Sequence, residues 1–330
     1  MLDTSDTPNS TLNQLVIIGL GLIGASIASA VSKRRLARKV IGISRRSSTL
    51  ELASKAGIID DSASSLDIIG GNLGSGDVVV ICVPTLAVKS VVEECHRHLN
   101  NEVTITDVAS VKGSVIEAVT QTYGFMPEQF VPGHPIAGSE RNGVTAADYN
   151  LFTDHRVVLT PDLKTGKEHL SLVAKLWSDV GALVSTMAVK DHDEILAATS
   201  HLPHFLAYSL VDTLASLGDK SEIFKFAAGG FRDFTRIAAS DPVMWRDIAL
   251  ANQSSIIDVL DKVMINFVTL REAIASSNGE YLIDVFTRAR DARNYFGKLE
   301  EGKELREFGV SKTTNFRVSP GGHSCGHLRV

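Results

Sequence analysis

Short runs of β-branched and other apolar residues punctuate the first half of the chain, at Leu15–Ile18, Val40–Ser44, Val78–Val83, Val103–Thr106, Phe130–Val131, Val157–Leu159 and Leu183–Thr186. Stretches with helical apolar spacing lie between them, and such alternation predicts a parallel sheet wrapped by helices. From Asp191 onward the strand-like runs disappear, while helical spacing persists to Phe296. The pattern predicts a polar, flexible N-terminus at 1–13, an α/β domain at 14–188, an all-α domain at 189–299 and a linker or tail at 300–330.

Two helix starts are legible in the second domain. Asp191 with Glu194 three residues later has the form of a capping box, and Pro203 is expected to bend or break that helix. Ser240-Asp241-Pro242 places a capping side chain before a proline at the first helical position. The helix that follows carries Ile248, Ile256, Ile257, Leu260, Val263, Ile265 and Phe267. One neighbour cannot cover so broad an apolar surface, so a homodimer through this domain is expected; burial inside one subunit is the alternative.

Composition narrows the partners. The 330 residues are 44% hydrophobic and 22% charged with a formal net charge of -5, and no block of Lys or Arg stands out. Neither nucleic acid nor an anionic membrane surface is an expected partner; a small solute is. The apolar stretch from Leu15 to Val31 is interrupted by Gly19, Gly21 and Gly24, so it reads as strand, turn and helix and no membrane span is expected. A polar N-terminus without a secretory pattern and three scattered cysteines, Cys82, Cys95 and Cys325, predict a cytoplasmic protein without a disulfide framework.

Gly19-Leu20-Gly21-Leu22-Ile23-Gly24 follows an apolar strand and opens a helix, the context a dinucleotide fingerprint requires. Gly19 allows the turn, Gly21 lets backbone approach a pyrophosphate, and Gly24 lets helix and strand pack closely; the N–H groups of Leu22 and Ile23 open the helix toward the phosphates. Taken alone the motif also suits a structural turn or S-adenosylmethionine. After the second strand, where an NAD site usually places a carboxylate, stand Ser44, Arg45 and Arg46. A hydroxyl and guanidinium groups accept a 2′-phosphate that a carboxylate repels, which predicts NADP as the preferred cofactor, with NAD possible. Two solvated arginines are the bland alternative. The third long strand ends at Val83 and Pro84, at the carboxyl edge where the cofactor is expected.

Gly133-His134-Pro135-Ile136-Ala137-Gly138-Ser139-Glu140 resembles the signature of prephenate/arogenate (cyclohexadienyl) dehydrogenases of tyrosine biosynthesis. The likeness extends through Asp107 to Gly113, Ser200 to His204, Gly230 to Arg236 and Ser240 to Asp247, in family order. It implies a Rossmann-type doubly wound parallel sheet followed by an all-α dimerisation and substrate domain. It also implies oxidative decarboxylation of a cyclohexadiene with hydride transfer to a nicotinamide cofactor.

The resemblance assigns roles. His134 is the expected base, since a neutral imidazole accepts a hydroxyl proton near neutral pH. Ser110 is expected to bind the same hydroxyl and orient His134, and Arg236 to grip the substrate carboxylate. His201, His204 and Trp245 are expected at the pocket, with Ser139, Glu140 and Asp233 as further polar candidates. His201 and His204 lie three apart, yet no third ligand stands at a suitable spacing and the family chemistry needs no metal, so none is expected. Tyrosine inhibition is a further expectation, because product resembles substrate. The chief enzymatic alternative, a β-hydroxyacid dehydrogenase, requires a catalytic lysine in its helical domain with its own Gly-rich motif, which Gly229-Gly230-Phe231-Arg232 does not supply. A non-catalytic NADP-binding sensor would leave His134, Ser110 and Arg236 without a common purpose. The tail from Thr313 to Gly322, continuing through Leu328-Arg329-Val330, resembles the opening of 5-enolpyruvylshikimate-3-phosphate synthase. That likeness implies the dehydrogenase part of a fused enzyme.

Overall fold

In the computed structural model, which describes residues 12–139, 141–217, 225 and 227–300, the apolar runs become strands of two sheets. Strands β1 (Leu12–Ile18), β2 (Ala37–Ile43), β3 (Asp61–Ala63), β4 (Val78–Ile81), β5 (Thr104–Asp107) and β6 (Phe130–Val131) form the larger one. Its order is β3-β2-β1-β4-β5-β6, and every neighbouring pair is parallel. The reversal of direction in strand order falls between β1 and β4, where open α/β sheets place their ligands beyond the carboxyl ends of the strands.

The period-two alternation of strand side chains divides the core into two layers. Leu15, Ile17, Val78 and Val80 join one buried cluster with Phe152 and Trp177, while Val16, Ile18, Val79, Ile81 and Ile105 join the other. Helix α1 (Leu22–Arg34) lies close on the first layer through Ala25, Ala28, Ala30 and Val31. Helices α2 (Ser47–Lys55), α3 (Val88–His98) and α4 (Lys112–Tyr123) follow the next strands. Val88, Val91, Val92 and Cys95 give α3 one apolar face at helical spacing, and that face is buried.

Two of the strand runs expected in the parallel sheet belong to a second, three-stranded sheet. Here β7 (Gly133–Pro135) pairs antiparallel with β8 (Arg156–Leu159), and β8 pairs parallel with β9 (Leu183–Thr186), after α5 (Lys167–Asp179). The chain leaves the main sheet at Pro132, between β6 and β7. This small sheet matters because β7 carries His134.

The helical part begins with α6 (Val189–Leu196), two residues before the expected start, so Asp191 sits in its first turn and Ala188 at its cap. A π-helical turn over Ala197–His201 leads into α7 (Leu202–Ser216), which has Pro203 in its first turn. The extra residue of a π turn accommodates the proline without ending the helical path. After α8 (Gly229–Thr235) and a 3-10 turn at Arg236–Ala239, α9 (Pro242–Ala251) starts as expected. Asp241 accepts from the N–H groups of Val243 at 2.8 Å and Met244 at 3.4 Å. The single long helix expected next is two: Asn252 separates α9 from α10 (Gln253–Ala275) and spends its side-chain amide on the backbone oxygen of Asp193, at 2.8 Å.

The chain divides into two compact units, Met1–Asp261 and Lys262–Val330. All described candidate site residues belong to the first. The second contains the rest of α10 and α11 (Gly279–Glu300), and exposes Ile265, Phe267, Ile283 and Phe286. Among the described residues no helix is long and apolar enough to cross a membrane. Glu140 and the tail from 301 onward, with its synthase-like string, lie outside the described residues.

Candidate active site

The glycine loop lies between the ends of β2 and β4: the Gly19 N–H donates to the Ile43 oxygen at 2.9 Å, and the Cys82 N–H to the Ile18 oxygen at 2.8 Å. Gly19 has φ +98, and a Cβ there would lie 2.5 Å from the Cys82 oxygen and 3.2 Å from Val83. A Cβ on Gly24 would come within 2.1 Å of the Gly19 oxygen. Both positions therefore demand glycine for packing. Gly21, at the helix cap, differs: a Cβ there would meet nothing within 4 Å. The space beside it adjoins the first-turn N–H groups of Leu22, Ile23 and Gly24, which lack partners within the helix. An open cradle faced by helix-terminal N–H groups fits a dinucleotide pyrophosphate. Pro84 is exposed beside this rim, and Ser44, Arg45 and Arg46 follow β2; the Arg46 N–H donates to the Ser44 hydroxyl at 3.2 Å.

His134 is held from two sides. On one, the adjacent Gly133 is tied to the loop after β5: its N–H donates to Asp107 Oδ1 at 3.2 Å, and its oxygen accepts from Lys112 Nζ at 2.6 Å. Lys112 also pairs with Asp107 Oδ2, and neither side chain is exposed at all. Ser110, half-buried, lies on the turn that this ion pair clamps beside β7. Burial pulls the Lys112 ammonium down from its ordinary range, and the Asp107 carboxylate opposes that pull. On the other side, His134 Nδ1 lies 2.9 Å from His192 Nε2, and His192 Nδ1 lies 2.7 Å from Asp193 Oδ1. Burial, with the Lys112 ammonium nearby, holds His134 well below the usual imidazole value of 6.5, so it stands neutral and basic at neutral pH.

The remaining pocket candidates gather around Trp245. The His204 ring stacks on the indole at 3.7 Å between centroids, while His201 and Phe205 meet it edge-on at 6.1 and 6.0 Å. Trp245 and Ile248 pack with Val111, which joins α9 to the start of α4. His204 Nδ1 lies 2.9 Å from the Ser200 oxygen, so that nitrogen carries a hydrogen and Nε2 is left as an acceptor. Burial lowers His204, and the charge of Arg236 lowers it further. His201 is pushed down to about 4, chiefly by burial. Among the described residues the buried Trp245 Nε1 atom meets no hydrogen-bond partner. Arg236 and Asp233 are exposed on the turn and helix preceding α9, and Ser139 is exposed beyond β7, accepting from the Arg141 N–H at 3.3 Å.

Comparison with known proteins matches this arrangement. The family model for the prephenate dehydrogenase nucleotide-binding domain fits residues 27–186, and that for the prephenate dehydrogenase dimerization domain fits residues 188–288. A cyclohexadienyl dehydrogenase of Zymomonas mobilis is 37% identical over 287 residues, covering 86% of this chain and 96% of that protein. The chain belongs to the prephenate dehydrogenase family. Among solved structures, prephenate dehydrogenase from A. aeolicus, in complex with hydroxyphenyl propionate and NAD+, superposes with a TM-score of 0.80 at 33% identity, covering 88% of this chain and 100% of that one. Synechocystis arogenate dehydrogenase does so with a TM-score of 0.72 at 28% identity, over 86% and 99% of the two chains.

In this prephenate dehydrogenase family member, the structure gathers His201 and His204 around Trp245 and surrounds His134 with residues to which the sequence assigned nothing. His192, Asp193, Lys112, Asp107 and Asn252 carried no assigned role. Their signal was composition against context: a His-Asp pair on an otherwise apolar helix face, and a lysine immediately before a glycine in a run that resembles the family.

Proposed function

We propose that this protein oxidatively decarboxylates prephenate, arogenate or both, giving 4-hydroxyphenylpyruvate or tyrosine, with residues 14–188 binding the dinucleotide and 189–299 supplying substrate contacts and dimerisation. A nicotinamide dinucleotide on the Gly19–Gly24 cradle supplies the hydride acceptor. His134 takes the proton of the ring hydroxyl as the carbon bearing it is oxidised, and Ser110 binds the same hydroxyl. The oxidised ring is a vinylogous β-keto acid. It loses its carboxylate as carbon dioxide, and aromatisation drives that loss, so the protein needs no further acid for the step. Arg236 is the proposed anchor of a substrate carboxylate, with His201, His204 and Trp245 lining the ring site and Ser139, Glu140 and Asp233 as polar contacts. Replacing Arg236 by Ala is expected to raise KM with cofactor affinity retained, and an unchanged KM removes that role.

The observation that carries the activity is a buried His134, held well below the usual imidazole value and tied through Gly133 to the turn after β5, in the same sheet whose β1 leads into the open glycine cradle. Prephenate and arogenate, each assayed with NAD and NADP, test it through the appearance of reduced nicotinamide. Absence of reduction with all four pairs overturns the reading. The same experiment tests the preference for NADP, which is supported by Ser44, Arg45 and Arg46 standing where a carboxylate would repel the 2′-phosphate; a higher kcat/KM with NAD removes it.

Three further expectations belong here. The exposed apolar residues of α10 and α11 support a homodimer. Tyrosine, which keeps the ring of the substrate, is proposed to compete for the Trp245 pocket. A cytoplasmic setting is supported by Cys82 and Cys95, both free thiols. The proposal that the tail opens a synthase module rests on the resemblance of residues 313–330 alone.

A further inference from the structure

We propose that His192 and Asp193 are positioning residues that lock His134 in the one tautomer able to accept the substrate proton. This rests on His134 being the base, and it assigns to a buried pair outside the substrate contacts the task of keeping that base usable.

The argument follows the hydrogens. An ionised carboxylate only accepts, so with Asp193 Oδ1 at 2.7 Å from His192 Nδ1 the hydrogen lies on that nitrogen. A neutral His192 then presents a lone pair at Nε2. That lone pair faces His134 Nδ1 at 2.9 Å, and two lone pairs cannot share such a contact, so His134 carries its hydrogen on Nδ1. Nε2 of His134 is left unprotonated, free to take a proton from a hydroxyl. The opposite tautomer would place a hydrogen there and block the reaction.

The anchor of this chain is itself fixed. Asp193 Oδ1 accepts from the Lys112 N–H at 2.9 Å and Oδ2 from the Gly113 N–H at 2.7 Å, both at the start of α4, where the helix dipole favours a negative charge. A Cβ on Gly113 would lie 2.8 Å from Oδ2, so glycine is what lets the carboxylate approach. Asn252, in the break between α9 and α10, holds the backbone oxygen of Asp193. Burial raises the Asp193 carboxyl, but the hydrogen bond with His192 and those from the Lys112 and Gly113 N–H groups outweigh it and hold the group below its ordinary value. The carboxylate stays ionised wherever the enzyme works, and the tautomers downstream of it follow.

The decisive measurement is nitrogen-15 NMR of the imidazoles in the intact wild-type protein, with His134 assigned by its absence from a His134→Asn spectrum. A hydrogen on Nδ1 and none on Nε2 of His134 is expected; a hydrogen on Nε2, or a doubly protonated His192, overturns the proposal. Kinetics give a second readout. Loss of the acceptor in His192→Leu is expected to lower kcat about 100-fold with KM within about threefold, while His192→Gln, which can still accept from Nδ1, returns to within about tenfold of wild type. Equal losses in the two variants reduce the pair to a structural role and overturn the proposal, as does wild-type turnover of His192→Leu. If His134→Asn is inactive while His192→Leu turns over normally, only this proposal falls; if His134→Asn is fully active, the choice of base falls with it.

Discussion

At the scale of single residues, the proposed chemistry depends on keeping one imidazole neutral and another group ionised in the same buried space. Burial lowers His134 below 6.5, and the same burial is overcome at Asp193 by hydrogen bonds. As the proposed base His134 acts in its deprotonated form, so its lowered value moves the expected acidic limb of activity downward. We predict that kcat/KM, which reports the free enzyme, stays level through neutrality and declines only well below pH 6.5; an acidic limb centred at or above 6.5 contradicts the environment described for His134. The choice of His134 as proposed base came from the string around it, because only that context raises a histidine beside a proline above a structural loop residue. Its supports were not. His192 lies 58 positions away and meets His134 only because α6 follows the second sheet, so no spacing rule points from one to the other.

At the scale of elements, glycines that look alike in the motif have different tasks. The Gly24 Cβ would collide with backbone at 2.1 Å, whereas Gly21 faces open space. Gly24→Ala is therefore predicted to lower thermal stability with or without cofactor. Gly21→Ala is predicted to fold with an unchanged melting temperature and bind dinucleotide more than about tenfold more weakly, a loss of about 1.4 kcal/mol or more by titration. Equal effects of the two on cofactor-free stability would contradict the cradle. The strands and helices themselves followed their periodicities, since a buried parallel strand such as Val78–Ile81 is a continuous apolar run. Three features escaped that reading for physical reasons. Asp61–Ala63 is short with two exposed residues, so it shows no apolar pattern. The runs of β8 and β9 are as apolar as those of the main sheet, and pattern alone cannot say which sheet a strand joins. Asn252 interrupts the helix inside an unbroken apolar periodicity, where the departure lies in its own backbone angles, φ -114 and ψ 36, and so leaves no mark on the apolar pattern.

At the scale of the whole molecule, buried neutral histidines make stability depend on pH. His201 titrates near 4 in the folded protein, and His134 is lowered as well, against an ordinary value of 6.5. Between those values the unfolded chain takes up protons that the folded form does not, so stability is retained above 6.5 and lost as pH falls toward 4. Asp193, held below 3.8, adds its own loss only under that pH. We predict that the melting temperature drops across this window; a constant or rising value contradicts the buried neutral state. The proposed division of labour, with a glycine cradle on a parallel sheet and an aromatic cluster around Trp245 on the helices, turns on a single proton acceptor. The most direct test of it is the turnover of His134→Asn with prephenate or arogenate at saturating cofactor. The account predicts a kcat lower by about 10²–10⁴-fold with dinucleotide binding unchanged; turnover equal to that of the unaltered protein would contradict it.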